Sequence, residues 1–178
     1  MIKKFLDLGN QPLANKYLRA YKKLTLKSNE LYRLTVGFDN KTKLVSLINK
    51  IPDKKMFDGN YPYKSSMSKT MINSFKKLSI KIKKRFKPKL FFEIGSNDGA
   101  LIKNFNKSEV VCVEPCANLA KITNKKGYYT YNNYWNLSLA KKIKKNFGRA
   151  DVIYSANTLT HINDLDDVFK SITHMLNK

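Results

Sequence analysis

Phe91-Phe92-Glu93-Ile94-Gly95-Ser96-Asn97-Asp98-Gly99-Ala100-Leu101-Ile102 decides how this chain is read. An apolar run stops at an acid, turns through two glycines and restarts with apolar residues at helical spacing. That pattern sets a loop able to approach a ligand closely above a buried strand. Glu114 follows Glu93 by 21 residues, at the end of a second apolar run. A carboxylate there is placed to accept both hydroxyl hydrogens of a ribose. The pair points to a cofactor that carries a nucleoside, against the plainer reading of either acid as a solvated strand end.

Outward from this stretch the chain alternates. Lys89 to Ile94 fits a buried strand, and Gly99 to Asn106 a helix with Leu101, Ile102 and Phe105 toward the sheet. Glu109 to Glu114 is the second strand, and its apolar centre implies cover on both faces. Cys116 to Lys125 follows as a helix, and Tyr128 to Tyr134 as a short strand or a loop. Leu137 to Phe147 reads as a helix with Leu137, Ala140, Ile143, Lys144 and Phe147 along one side, closed by Gly148. Ala150 to Ala156 is a fourth strand and Leu165 to Leu176 a last helix, with Asp164, Asp166 and Asp167 at its positive end. The expected fold class is α/β, a partial class I (Rossmann-like) parallel sheet after a small N-terminal domain. Taken in chain order, the four strands leave the first as an exposed hydrophobic edge.

Three segments are expected: a small domain over residues 1–59, a linking helical segment over 60–87, and the partial cofactor domain over 88–178. Charge divides the chain similarly. Residues 1–89 carry 23 Lys and Arg against 5 Asp and Glu, whereas residues 90–178 carry 12 against 8. Met67, Met71, Phe75, Leu78, Ile82 and Phe86 recur at helical spacing through the most basic region, which describes a helix with an apolar stripe and a basic outer face. Such a face is either simply solvated or attracts an anion such as an acidic membrane surface, a diphosphate-bearing substrate or, less well supported than the diphosphate, nucleic acid. Lys far outnumbers Arg, and no arginine cluster offers the planar forks suited to base edges.

In the N-terminal third, Phe5 to Asn15 reads as a strand end and structured turn punctuated by Gly9 and Pro12. Glu30 to Phe38 and Lys43 to Ile48 have strand character around a turn at Asp39-Asn40-Lys41, and Pro52 to Pro62 reads as a connecting loop. No secretory signal or membrane-spanning apolar run is visible, so a cytoplasmic protein without membrane contact is expected. Cys112 is placed in a core strand and Cys116 just beyond it with the better chance of exposure. Two cysteines at that spacing, with only His161 and His174 besides, do not suggest a metal.

Two cofactors compete for the glycine loop. A nicotinamide dinucleotide needs a phosphate cradle of the form Gly-x-Gly-x-x-Gly, and here the middle glycine is missing while Asp98 sets a negative charge beside the pyrophosphate position. S-adenosylmethionine carries a cationic sulfonium and no phosphate, so the acidic rim suits it better. Glu93 is then placed to hold its amino-acid end or to orient the loop through backbone donors.

These blocks resemble a known family, the S-adenosylmethionine-dependent C-methyltransferases that act on keto-deoxysugars attached to a nucleotide diphosphate. The resemblance runs through nearly the whole chain. It includes Leu6-Asp7-Leu8-Gly9-Asn10-Gln11-Pro12-Leu13-Ala14-Asn15, Asn60-Tyr61-Pro62-Tyr63-Lys64-Ser65-Ser66-Met67-Ser68-Lys69-Thr70-Met71, Glu93 to Gly99, Val113-Glu114-Pro115, and Asp151 to Asn157 leading to His161-Ile162. It implies cofactor contacts from Gly95, Asn97, Asp98 and Glu114, with Asn157 near the methyl donor; Glu93 and Gly99 complete the expected cofactor set. It implies that Tyr61, Tyr63, Ser65 and Ser66 approach the substrate. It also implies that a base removes an acidic hydrogen beside a keto group to give an enolate-like carbanion. Tyr63 and His161 are the candidates for that proton handling or for oxyanion stabilisation; as packing and turn-bridging residues they would have plainer roles.

Relatives in that family carry zinc-binding cysteine pairs in the small domain. Here Phe38 and Lys41 stand at the places of the second pair and none precedes the Asp7-Leu8-Gly9 block, so zinc is not expected. Ser74 stands before Phe75 where the family has histidine. Relatives also continue into further strands and a C-terminal domain, so this chain is expected to be truncated, with a second polypeptide as one source of the missing strands. A non-catalytic remnant or interaction domain, and a methyltransferase acting on RNA, are the alternatives.

Overall fold

A computed structural model describes residues 1–17 and 31–177, and the chain divides into two compact units, Met1–Met56 and Phe57–Lys178. In the first unit, β1 (Ile2–Pro12) pairs antiparallel with β2 (Leu31–Asp39), and β2 with β3 (Val45–Leu47). Glu30, expected to open the second strand, lies outside the described residues. Gly9, at φ +70°, sits where the β1–β2 register slips between Asp7 and Asn10, a bulge for which a left-handed glycine is suited. The expected turn at Asp39 is built by its carboxylate, which accepts from Lys41 N at 3.0 Å and Thr42 Oγ1 at 3.1 Å. The Pro52–Pro62 stretch is not wholly a loop, because one helical turn, α1 (Asp53–Met56), interrupts it.

The second unit begins with residues 57–68 and α2 (Lys69–Phe86), whose Ser68 N-cap accepts from Met71 N at 3.2 Å. Phe75, Ser79 and Ile82 are its buried positions, and Met71 and Leu78 pack beside them. Met67 and Phe86, expected in the same stripe, are exposed: Met67 precedes the helix in a short 3₁₀ turn and Phe86 is its last residue. Lys87 then stops the helix in the left-handed conformation, at φ +45°.

The parallel sheet contains β4 (Phe91–Ile94), β5 (Val110–Val113), β6 (Tyr129–Tyr131) and β7 (Val152–Ser155), in the order β6-β5-β4-β7. That is the order of one Rossmann-like half with its first partner beyond the switch point. It corrects the expectation that the first strand is an edge. The chain returns from β6 across the sheet to lay β7 on the far side of β4, so β4 is central and buried throughout. Ile94, Phe92, Val111 and Val113 pack on one face with Trp135, α4 (Leu137–Phe147) and α5 (Leu165–Met175); Phe91, Val110 and Cys112 pack on the other with α2 and residues 100–105. Each fully buried large side chain contributes about 1.5–3 kcal/mol by leaving water, which is why the double apolar face of four-residue strands suffices to fix them.

Two smaller corrections follow. Gly99 to Asn106 forms turns and a 3₁₀ segment, Ile102–Asn104, in place of a helix. The Asn104 side chain donates to the carbonyls of Leu101 at 2.9 Å and Ala100 at 3.4 Å, capturing acceptors that a helix would need. Leu101, Ile102 and Phe105 are nevertheless buried, and Phe105 stacks on Phe91 with ring centroids 4.3 Å apart. In α4 the buried residues are Leu139, Ala140 and Ile143, rotated from the side expected to hold Leu137 and Lys144.

The two sheet edges differ. Beside β6, the Asn124 side chain of α3 (Ala117–Lys125) accepts from Thr130 N and donates to Thr130 O, both at 3.0 Å, and so occupies that edge. Beside β7, Ala150 bridges Leu176 in parallel, with Ala150 N donating to Met175 O at 2.8 Å and Asn177 N to Ala150 O at 2.9 Å. Asp151 pins this end of the sheet by accepting from Lys89 N at 2.8 Å and Leu90 N at 3.0 Å. No described helix is long and apolar enough to cross a membrane.

Candidate functional site

The glycine loop leaves the C-terminal end of β4, the position at which open α/β sheets bind ligands. Gly95 N and Ser96 N both donate to Val113 O, at 2.8 and 3.3 Å, which folds the loop back over β5. Gly95 has φ +77°, and a Cβ there would lie 2.3 Å from Thr158 Oγ1. Both the backbone angle and the close approach of the β7 loop therefore exclude a side chain. Asn97 also adopts a left-handed conformation, at φ +50°, which asparagine tolerates better than most residues.

Glu114 is buried and spent on this loop: Oε2 accepts from Asn97 N at 2.7 Å and Oε1 from Cys116 N at 2.9 Å. Each carboxylate oxygen has a second lone pair, so capacity to accept a ligand hydroxyl remains. Glu93 lies on the α2-facing side of β4, paired in register with Cys112 and Tyr154 on its two neighbouring strands. It is 4% exposed, and its Oε2 has no hydrogen-bond partner. Burial, reinforced by the Glu114 charge, pushes its carboxyl from 4.5 up to about 8. Burial raises Glu114 as well, against its two backbone hydrogen bonds. Among the described residues the ion pairs are those of Asp7 and Asp39, so neither buried glutamate has a cationic partner.

Asp98 is buried beside them. Its Oδ1 accepts from Ser66 N at 3.2 Å, its Oδ2 accepts a short hydrogen bond from Ser66 Oγ, and its main-chain oxygen accepts from Lys126 Nζ at 3.2 Å. Asn97 Oδ1 accepts from Ser65 N at 2.8 Å, and Asn97 Nδ2 donates to Tyr63 O at 3.2 Å. Tyr63, Ser65 and Ser66 are thus brought to the glycine loop, whereas Tyr61 is held at the start of α3. The Tyr63 side chain is exposed. Asn157, at φ +51°, and His161 are exposed on the loop after β7, and His161 meets the Phe57 ring edge-on at 5.6 Å, with Tyr61 tilted against the same ring at 5.7 Å.

Several contributors escaped sequence reasoning. Asn118 Nδ2 donates to Tyr61 O at 2.8 Å, Tyr134 Oη to Phe57 O at 2.9 Å, and Asn132 Nδ2 to Glu114 O at 2.9 Å. Thr158 closes on Gly95. Only Asn118 carried a usable signal, a polar residue at the start of a helix that follows the second acid. Cys116, expected to be the more exposed thiol, is buried against Glu114; burial and that carboxylate push its thiol up, which disfavours the thiolate.

No family model matches the chain. It is 28% identical over 151 residues to the C-methyltransferase NovU of Streptomyces niveus, an alignment covering 82% of this chain and 36% of that protein. The chain therefore spans well under half the length of that curated relative. Among solved structures, a protein of Methanococcus maripaludis described as an S-adenosyl-L-methionine-dependent methyltransferase matches with TM-score 0.48 and 17% identity, over 64% of this chain and 56% of that one. The plantazolicin methyltransferase BamL, solved in complex with a triazolic desmethylPZN analogue and SAH, matches with TM-score 0.46 and 18% identity, over 60% and 41% of the two chains.

Proposed function

We propose that this chain binds S-adenosylmethionine and serves C-methylation of a keto-deoxysugar linked to a nucleotide diphosphate. The observation that carries the reading is the buried pair Glu93 and Glu114 under the glycine loop, with Glu93 Oε2 left without a partner. A pyrophosphate placed there would meet Glu93, Asp98 and Glu114, whereas a cationic ligand supplies the compensation that the pair lacks. The chemistry of the donor set therefore fits this cofactor. The similarity to a C-methyltransferase supports the same reaction class, and the motif around Tyr61 and Tyr63 supports the sugar substrate.

When bound, S-adenosylmethionine supplies an electrophilic methyl on a sulfonium. Glu93, Gly95, Gly99 and Glu114 would hold it, with Asn97 and Asp98 shaping the loop and Asn157 at the neighbouring switch-point loop. Tyr63 and His161 handle the proton that leaves the carbon beside the substrate keto group, or donate to the oxygen on which charge develops. Tyr61, Ser65 and Ser66 face the sugar. A further strand, from this or a second polypeptide, would pair along the β7 edge where Leu176 and Asn177 already meet Ala150. Nucleic acid is the less supported partner, because the basic face of α2 is almost entirely lysine.

Purified protein incubated with methyl-labelled S-adenosylmethionine, alone and with a nucleotide-linked keto-deoxysugar or RNA, tests this. Binding of the label and its transfer to the sugar support the proposal. Transfer to RNA, or no binding of the donor, refutes it.

A further inference from the structure

We infer that Asn97 and Asp98 are positioning residues for the substrate-facing segment 61–67, acting as side-chain caps for a 3₁₀ turn that lies 32 residues away in sequence. The inference rests on the assignment of that segment to the substrate, but its geometry stands by itself.

The turn Ser65–Met67 opens with Lys64, which offers no side-chain cap. Its first amides would be left without acceptors, as at any helix start. Two consecutive side chains of the glycine loop meet two consecutive amides of the turn: Asn97 Oδ1 takes Ser65 N at 2.8 Å, and Asp98 Oδ1 takes Ser66 N at 3.2 Å. Asp98 Oδ2 then takes the Ser66 hydroxyl, so both carboxylate oxygens are engaged by one residue. Asn97 Nδ2 returns a hydrogen bond to Tyr63 O at 3.2 Å, which fixes the residue just ahead of the turn. Asn97 Oδ1 also accepts from Asp98 N at 2.9 Å, locking the two caps to each other.

The rest of the segment is held by the loops after the other strands. Tyr61 O accepts from Asn118 on α3, Phe57 O from Tyr134 beyond β6, and the Phe57 ring rests on His161 beyond β7. All four strand-end loops thus carry one strap, and Asn97 and Asp98 are its link to the loop that receives the cofactor. Their side chains have their polar atoms committed to the strap, which leaves the loop backbone, Glu93 and Glu114 for the ligand. The left-handed angle of Asn97 aims consecutive side chains at consecutive amides.

Amide exchange by NMR on the ligand-free full chain decides the matter, using Ser66→Ala, Asp98→Asn and the conservative Ser66→Thr. Loss of the Ser66 hydroxyl is expected to speed exchange at the Ser65 and Ser66 amides roughly tenfold, with Ser66→Thr restoring protection and the β4 amides unaffected. S-adenosylmethionine affinity of Ser66→Ala, by calorimetry, should stay within about threefold of the parent, while KM for the keto-deoxysugar rises and kcat falls. Unchanged exchange at Ser65 and Ser66 overturns the inference. So does a loss of donor affinity in Ser66→Ala equal to that in Glu114→Ala, with exchange unchanged. Should the parent protein bind no S-adenosylmethionine, the cofactor assignment fails, and the exchange comparison still decides the capping role.

Discussion

Replacing Glu93 by Gln should remove a stability contribution that declines as pH rises, so that the order of stability of variant and parent changes between pH 5 and pH 8. The carboxyl is buried and rises from 4.5 to about 8 on folding. Above pH 4.5 the unfolded chain loses this proton while the folded chain keeps it, so stability is fully present below the unfolded value and declines as pH rises toward the folded one. Each pH unit of that interval costs about 1.4 kcal/mol, a total on the order of 5 kcal/mol by pH 8. Glutamine keeps the shape and removes the proton equilibrium, but its amide adds buried donors, at a cost of about 1–3 kcal/mol. The variant should therefore be less stable than the parent at pH 5, equal near pH 6 and more stable at pH 8. Urea unfolding followed by fluorescence of Trp135 reads this directly, since it is the one tryptophan and lies buried at 5.1 Å from the Phe92 ring. The difference between the two curves cancels the histidines and the other carboxylates. Parallel curves from pH 5 to 8 would refute the buried-acid argument.

Three further outcomes are expected. Gly95→Ala should lower stability by roughly 1–3 kcal/mol through its left-handed angle and abolish donor binding; Thr158→Ala should recover part of the stability, because Thr158 Oγ1 is the nearest atom to the added methyl. Asp151→Ala, read by thermal melting, should cost about 1–3 kcal/mol, because it strips acceptors from Lys89 N, Leu90 N and Asn177 Nδ2. Affinity for S-adenosylmethionine should rise with pH as Glu93 ionises through about 8, with proton release detectable by calorimetry in buffers of different ionisation enthalpy; a pH-independent affinity would contradict that role.

Strands were legible wherever burial dictated them. Phe91, Phe92 and Ile94, like Val110 to Val113, put apolar side chains on both faces, and only a central position in a parallel sheet hides both. The order of the strands was not legible in the same way, because nothing local to Val152–Ser155 states which side of β4 it will pair with. The missing helix after Gly99 shows a second limit: Leu101, Ile102 and Phe105 bury equally well from 3₁₀ turns, and Asn104 decides the outcome by binding carbonyls behind it. In the candidate site, the placement of Glu93, Gly95 and Glu114 at the ends of β4 and β5 followed from spacing, since they sit at fixed distances from the two apolar runs. The strap was not, because hydrogen bonds from Asn97, Asp98, Asn118 and Tyr134 to a segment up to 77 residues away leave no periodic trace.

Calorimetric titration of the purified chain with S-adenosylmethionine and, separately, with a nicotinamide dinucleotide tests the central claim most directly. One molecule of the methyl donor should bind per chain, with affinity lost in Glu114→Ala at unchanged fold, and the dinucleotide should not bind. Tight dinucleotide binding with no heat from the methyl donor would contradict the account.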